Sequence, residues 1–306
     1  MKRIFVLGAV LLLLSTFSLW MGCSDDDEAT SPTLAQGDTL DPGFISFREG
    51  YDATNMTTDM MLEMIFHVTD SLLHDADNPN AKPLRIPTSL QIEDNSITVT
   101  YHSASQYWYV DFLGTYGEQD SMIVIDSVQF LHATGPVQWP DSASLTGIKS
   151  GMSFHLREGL WVGDATQSVT LLGDFPNLGE VVANGFQHVS IAIGDDVVHF
   201  PDDDMDCEFS LAFTTTFTNV TLDLEHMGDG CPLAGSLTSI GTAAIDCSNE
   251  TDTVTVGGSW KVTESFTGTV ANWVIENATT RWVGVDSCGA DIKRINPILP
   301  IVKKAR

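Results

Sequence analysis

The sequence predicts a mainly β protein, an antiparallel meander forming a sandwich, a curved sheet or an open barrel, with one N-terminal amphipathic helix. Three observations lead there. From about residue 88 almost to the C-terminus, apolar residues recur with a period of two and are enriched in β-branched and aromatic types. The breaks between these runs carry Gly, Pro, Asp and Ser, the chemistry of turns. A spacing of three and four, the signature of a helix face, stands out in one place only, ahead of the strand-like region.

That helix is expected to be capped by Thr57 or Thr58, to present Met61, Met64, Ile65, Val68 and Leu72 on one face, and to end near Asp77-Asn78-Pro79. Its other face carries Glu63, His67, Asp70 and His74 at spacings of four, three and four. Two carboxylates and two imidazoles in one stripe are a candidate metal site if a second element adds ligands. The competing reading is a solvated polar face with acid and imidazole pairing along it.

The strands follow in order. Ile97, Val99 and Tyr101 alternate with polar residues, and further candidates are Tyr107 to Leu113, Met122 to Leu131, Met152 to Leu156, Ser168 to Leu172 and Phe186 to Ile193. Phe209, Leu211, Phe213 and Phe217 share one parity, whereas Val220, Leu222 and Leu224 take the other, which predicts a bulge near Thr218-Asn219. Val254, Val256, Trp260, Val262 and Phe266 share a phase, interrupted at Gly257-Gly258. Val270 to Ile275 and Thr280 to Val285 complete the meander.

An acidic stretch, Pro201 to Asp204, marks a seam between a helix-plus-β region (44–200) and a disulfide-bearing β region (201–306), which form either one continuous domain or two. Beside it, Asp202, Asp204, Asp206 and Glu208 alternate as candidate oxygen ligands for calcium. Counted from Asp202, position six is Cys207 and position twelve Phe213, so the run is not an EF-hand loop, and a solvated acidic turn is the competing reading.

The chain has 306 residues, 14 basic and 41 acidic, for a formal charge of −27. Nucleic acid is excluded as a partner by that balance, because phosphate binding needs clustered Lys and Arg. No Gly-x-Ser-x-Gly, His-Glu-x-x-His, phosphate loop or Gly-x-Gly-x-x-Gly occurs, so no enzyme class is indicated and a non-catalytic protein is the expectation. In Tyr107-Trp108-Tyr109, consecutive residues on a strand point to both faces, which offers an outward ring either to a second packed layer or to a glycan or lipid.

The N-terminus locates the protein. Lys2 and Arg3 precede the apolar run Ile4 to Leu14, which relaxes into Ser15, Thr16 and Ser18 before Gly22-Cys23. Gly22-Cys23 resembles the lipobox of bacterial lipoproteins, although Trp20 and Met21 stand where that motif carries Leu and a small residue. The resemblance implies that residues 1–22 are a signal peptide, that Cys23 is lipidated, and that the membrane is a partner through that lipid. Ser24-Asp25-Asp26-Asp27-Glu28 resembles the acidic tether of outer-membrane lipoproteins displayed at the cell surface, with a periplasm-facing location as the alternative. Residues 23–43 read as a flexible acidic tether.

Four cysteines remain, Cys207, Cys231, Cys247 and Cys288, an even number that predicts two disulfides in an exported chain. The turn-like Ser239-Ile240-Gly241 midway between Cys231 and Cys247 favours pairing these two, and Cys207 with Cys288. The function expected is that of an envelope lipoprotein binding a protein, glycan or lipid, or presenting a surface. Alternatives are a carrier of an apolar ligand such as a lipid, and an envelope hydrolase with a dispersed site.

Overall fold

The structure, a computed structural model, describes residues 34–55, 57, 61, 65, 94–116, 120–139, 144–173, 175, 179–200, 204–223 and 231–287. The strands are β1 (Ala35–Gln36), β2 (Asp94–His102), β3 (Tyr107–Tyr116), β4 (Asp120–His132), β5 (Gly135–Val137), β6 (Gly147–Glu158) and β7 (Trp161–Gly173). They continue as β8 (Glu180–His199), β9 (Asp204–Asp223), β10 (Ala234–Ser248), β11 (Thr253–Phe266), β12 (Val270–Glu276) and β13 (Thr280–Ser287). A helix, α1, covers 42–55, and Thr57, Met61 and Ile65 are also helical.

All described strands belong to one sheet in the order β1-β13-β12-β11-β10-β9-β8-β7-β6-β4-β3-β2. Successive strands pair antiparallel, as short turns dictate, and only β1 runs parallel to its neighbour. The short β5 folds back on the end of β4, and β4 then pairs with β6. The ends of the path are not joined to each other among the described residues. The acidic stretch at 201–203 lies outside the described residues, and the strands on either side of it, β8 and β9, pair through most of their length.

The period of two becomes a one-sided core. On β4, Met122, Val124, Val128 and Phe130 are buried while Ile123 and Ile125 are exposed, and β9 buries Phe209, Leu211, Phe213 and Phe217 in the same way. A single sheet has nothing on its inner face unless another element supplies it. Here α1 does so: Phe44, Phe47 and Tyr51 are buried, and Phe47 stacks on Trp260 with ring centroids 3.8 Å apart. Phe44 stacks on Trp282 at 5.1 Å, and Tyr51 meets Phe213 edge-on at 5.4 Å.

The helix starts about fifteen residues earlier than expected. Asp41 caps it, its Oδ1 accepting a hydrogen bond from the backbone N–H of Phe44 at 3.0 Å, and Pro42 occupies the first helical position, where its missing N–H is harmless. Thr57 is therefore not a cap; its hydroxyl donates to the carbonyl of Ala53 one turn back. Gly50 lets the helix approach the sheet, since a β-carbon there would lie 2.8 Å from the ring of Phe209.

The expected bulge is present. Thr218 opposes Ser236 and Thr221 opposes Ala234, so two residues of β9 face one of β10, and Asn219 takes a left-handed φ of 48°. The expected turn at Ser239-Ile240-Gly241 is not. These residues are the middle of β10, and Gly241 is glycine because a β-carbon would lie 2.0 Å from the carbonyl oxygen of Ala212.

That difference also overturns the expected disulfide pairing. With no turn between them, Cys231 precedes β10 and Cys247 lies near its far end, roughly 44 Å beyond Ala234, the first residue of the strand, at about 3.4 Å per residue. Cys247 instead pairs with Cys207, its directly opposed neighbour on β9, with Cα atoms 4.0 Å apart. Cys231 is disulfide-bonded as well. Among the described residues no helix is long and apolar enough to cross a membrane.

Candidate functional site

The most unusual feature of the inner face is its polarity beneath the helix. Asp126, Met152, Gln167, Gln187, Thr215 and Ser239 are successive directly opposed partners on β4, β6, β7, β8, β9 and β10. Five of the six are polar, and all are buried. They form a row perpendicular to the strands, because opposed residues share a face.

One end of the row is saturated. The hydroxyls of Thr215 and Ser239 are 2.8 Å apart, and the phenol of Tyr51, reaching down from α1, is 2.8 Å from Ser239. The other end is not. Among the described residues, Ser150 donates to Asp126 Oδ1 at 2.9 Å, but Oδ2 has no partner; neither polar atom of Gln167 has one; and Gln187 donates only to the thioether of Met61, at 3.5 Å. Burial pushes the Asp126 carboxyl up to about 7, against the smaller opposing effect of the Ser150 hydrogen bond.

A second buried group lies under the first turns of the helix. Arg48 Nη2 is 3.9 Å from Asp286 Oδ2 on β13, and the guanidinium sits over the ring of Trp273 at 5.2 Å. Asp52, one turn along the helix, and Glu264 on β11 complete a set of three carboxyls around one cation. Burial raises both Asp52 and Glu264 to about 7, with Arg48 pulling the other way. Arg48 Nε and Nη1 lack hydrogen-bond partners among the described residues, so the cluster holds by charge and ring contact.

The residues singled out from sequence are placed as follows. Cys23, Glu63, His67, Asp70, His74, Asp202 and Cys288 lie outside the described residues. Asp204, Asp206 and Glu208 alternate on the exposed face of β9, with Asp204 hydrogen-bonded to His199 Nδ1 at 2.8 Å. Side chains two apart on an extended strand are roughly 7 Å apart, twice the strand rise, which spreads the three along the surface. No cluster of three or more His, Cys, Asp or Glu suited to a metal occurs among the described residues. Trp108 of the aromatic triplet faces inward, donating from Nε1 to the carbonyl of Gln138 at 2.8 Å, while Tyr107 and Tyr109 point outward and lie 6.4 Å apart.

None of the described histidines is buried, and they pair with surface groups, as His155 does with Asp164 at 2.7 Å. The polar row sets the Ser150 hydroxyl on the Asp126 carboxyl, and the ionic cluster sets three carboxyls around Arg48. What they provide is hydrogen bonding and charge in an apolar setting. Compared with models of known protein families, with characterised proteins and with solved structures, the chain has no match.

Proposed function

We propose that the protein is an exported bacterial envelope lipoprotein, tethered to a membrane through lipid on Cys23, whose β body is a non-catalytic binding or structural module. The observation that carries the non-catalytic reading is the use of the inner face. Aromatic rings of α1 pack against those of the sheet, and among the described residues the buried polar groups contain no histidine and the histidines lie at the surface. The Cys207–Cys247 disulfide supports an oxidising compartment.

The sheet is read as curved around α1, an open barrel-like wall with the helix inside. Its polarity favours a body outside the bilayer. On β9 the outward residues are Asp206, Glu208, Ser210, Thr214 and Thr216, whereas a membrane barrel turns its apolar residues outward. A second reading, a carrier of an apolar or amphiphilic ligand, is favoured by the unpartnered polar atoms on the inner face.

Growth of the producing bacterium with labelled palmitate tests the tether. The wild-type chain is expected to take up label and sediment with membranes, and Cys23→Ala to take up none. Equal labelling of the variant, or an unlabelled wild type, would refute the lipid anchor.

A further inference from the structure

A sheet with free ends has two edge strands, and each offers a row of unpaired N–H and C=O groups to any chain that can pair with it. The two edges here differ. β13 is guarded. β1 lies along its start, with the N–H of Gly37 donating to the carbonyl of Arg281 at 2.8 Å and Trp282 Nε1 donating to the carbonyl of Asp38 at 3.1 Å. Near its end the buried Asp286 points inward to Arg48. A covering segment and an inward charge both hinder a further strand from adding to an edge.

β2 has neither. It pairs with β3 through nine consecutive opposed residues, Asp94 to His102, without a bulge, and it contains no Lys, Arg or Pro. On its other side it pairs with nothing among the described residues. The core is also left open there. On β3, Trp108, Val110 and Phe112 are buried, whereas their opposed neighbours Tyr101, Val99 and Ile97 are only partly covered, Val99 being 37% exposed.

The strand is moreover its own complement. Set antiparallel on a second copy with Thr98 on the two-fold axis, it places its Ile97, Ser96 and Asp94 against the partner's Val99, the partner's Thr100 and the partner's His102, and Thr98 against itself. Apolar pairs, hydroxyl pairs and an acid opposite an imidazole are the combinations that stabilise an antiparallel ladder. Parity is kept, so inner face continues into inner face and each Val99 gains an apolar neighbour. A shift by one residue would set inner side chains against outer ones, and a shift by two would lose the match of Asp94 with His102.

We propose that the protein is a homodimer joined edge to edge through β2, its two sheets continuous across a two-fold axis at Thr98. The assembly is closed, because each β2 has one free side and the second copy fills it. Each chain carries a formal charge of −27, which opposes association at long range; salt screens that repulsion, so the dimer tightens as ionic strength rises. The inference gives the binding module a specific partner, a second copy of itself, and does not depend on the lipid anchor.

Two measurements on the full chain test it. In sedimentation at micromolar concentration, in density-matched detergent, the wild type is expected to have the mass of two chains. Val99→Lys, which puts a charge on the edge, is expected to associate at least tenfold more weakly and to keep its β-sheet circular dichroism. The second measurement is cross-linking. Thr98→Cys is expected to oxidise to a disulfide between copies, because opposed residues on the axis lie roughly 5 Å apart between Cα atoms, within disulfide reach; Thr98 is exposed, so the change leaves the core intact. Ser96→Cys should stay unlinked alone, its two copies lying roughly 14 Å apart along the ladder, and should link when mixed with Thr100→Cys. A single-chain mass for the wild type, a dimer unweakened by Val99→Lys, or self-linkage of Ser96→Cys as ready as that of Thr98→Cys would overturn the interface. Palmitate labelling is read separately, so a single-chain result leaves the lipoprotein reading standing.

Discussion

Asp126 shows what a single buried carboxyl does to the stability of this fold. Its pKa is about 3.8 in an open chain and about 7 in the folded one, where desolvation favours the neutral acid. Between those values the folded state holds more proton than the unfolded state, so stability is full below pH 4 and is lost as the pH rises through 7. At about 1.4 kcal/mol per pKa unit, the loss for this residue is on the order of 4 kcal/mol. Asp52 and Glu264, also near 7, act in the same direction. Urea unfolding should therefore give a lower midpoint at pH 8 than at pH 5. Asp126→Asn, which mimics the protonated acid, should match the wild type near pH 3, exceed it by about 1.6 kcal/mol at pH 5 and by about 4 kcal/mol at pH 8; an advantage that does not grow between pH 5 and pH 8 would refute the assignment. These residues carry a signal in the sequence. Asp126 sits in phase between Val124 and Val128, Gln167 between Ala165 and Val169, and Glu264 between Val262 and Phe266. A polar residue at an in-phase position is a buried polar residue, and period-two reading alone passes over it because it scores only the apolar members.

At the scale of elements, the strands were legible and the helix start was not. Strand positions follow from alternation, which a one-sided sheet imposes on every strand, and even the parity change before Val220 marked its bulge correctly. The helix start was obscured because Pro42-Gly43 reads as a linker, although Asp-Pro is also a cap followed by a first helical residue. Phe44, Phe47, Tyr51 and Thr54 recur at three and four, continuing the stripe to Met61 and Ile65. Gly241 misled for the converse reason, a close backbone approach inside a strand being indistinguishable by residue type from a turn. If α1 is what seals the inner face, its ring contacts carry much of the stability. Phe47→Ala should destabilise the protein by about 3–5 kcal/mol, since it leaves Trp260 facing a void. Calorimetry checks this, and a loss under about 1 kcal/mol would mean that the helix is only loosely seated.

For the whole molecule, the continuity of the sheet decides which cysteines meet. The number of cysteines is legible in the sequence, whereas pairing depends on register, and a turn placed inside β10 divides the strand that sets that register. Cys207 opens β9 and Cys247 nearly closes β10, so their bond ties the two ends of one long hairpin that are farthest from its connection. Thirteen further opposed pairs already hold β9 to β10, so the native topology does not depend on the bond. Its contribution lies in the unfolded chain, where it closes a loop of 40 residues and removes entropy worth about 4 kcal/mol in the chain-closure treatment. The Cys207→Ala, Cys247→Ala double variant should accordingly keep its β-sheet circular dichroism and lose about 3–4 kcal/mol in urea unfolding. Peptide mapping without reduction should recover Cys207 joined to Cys247. Recovery of Cys231 joined to Cys247 would require β10 to fold back on itself, and with it the register of the sheet and the polar row that the register aligns would be wrong.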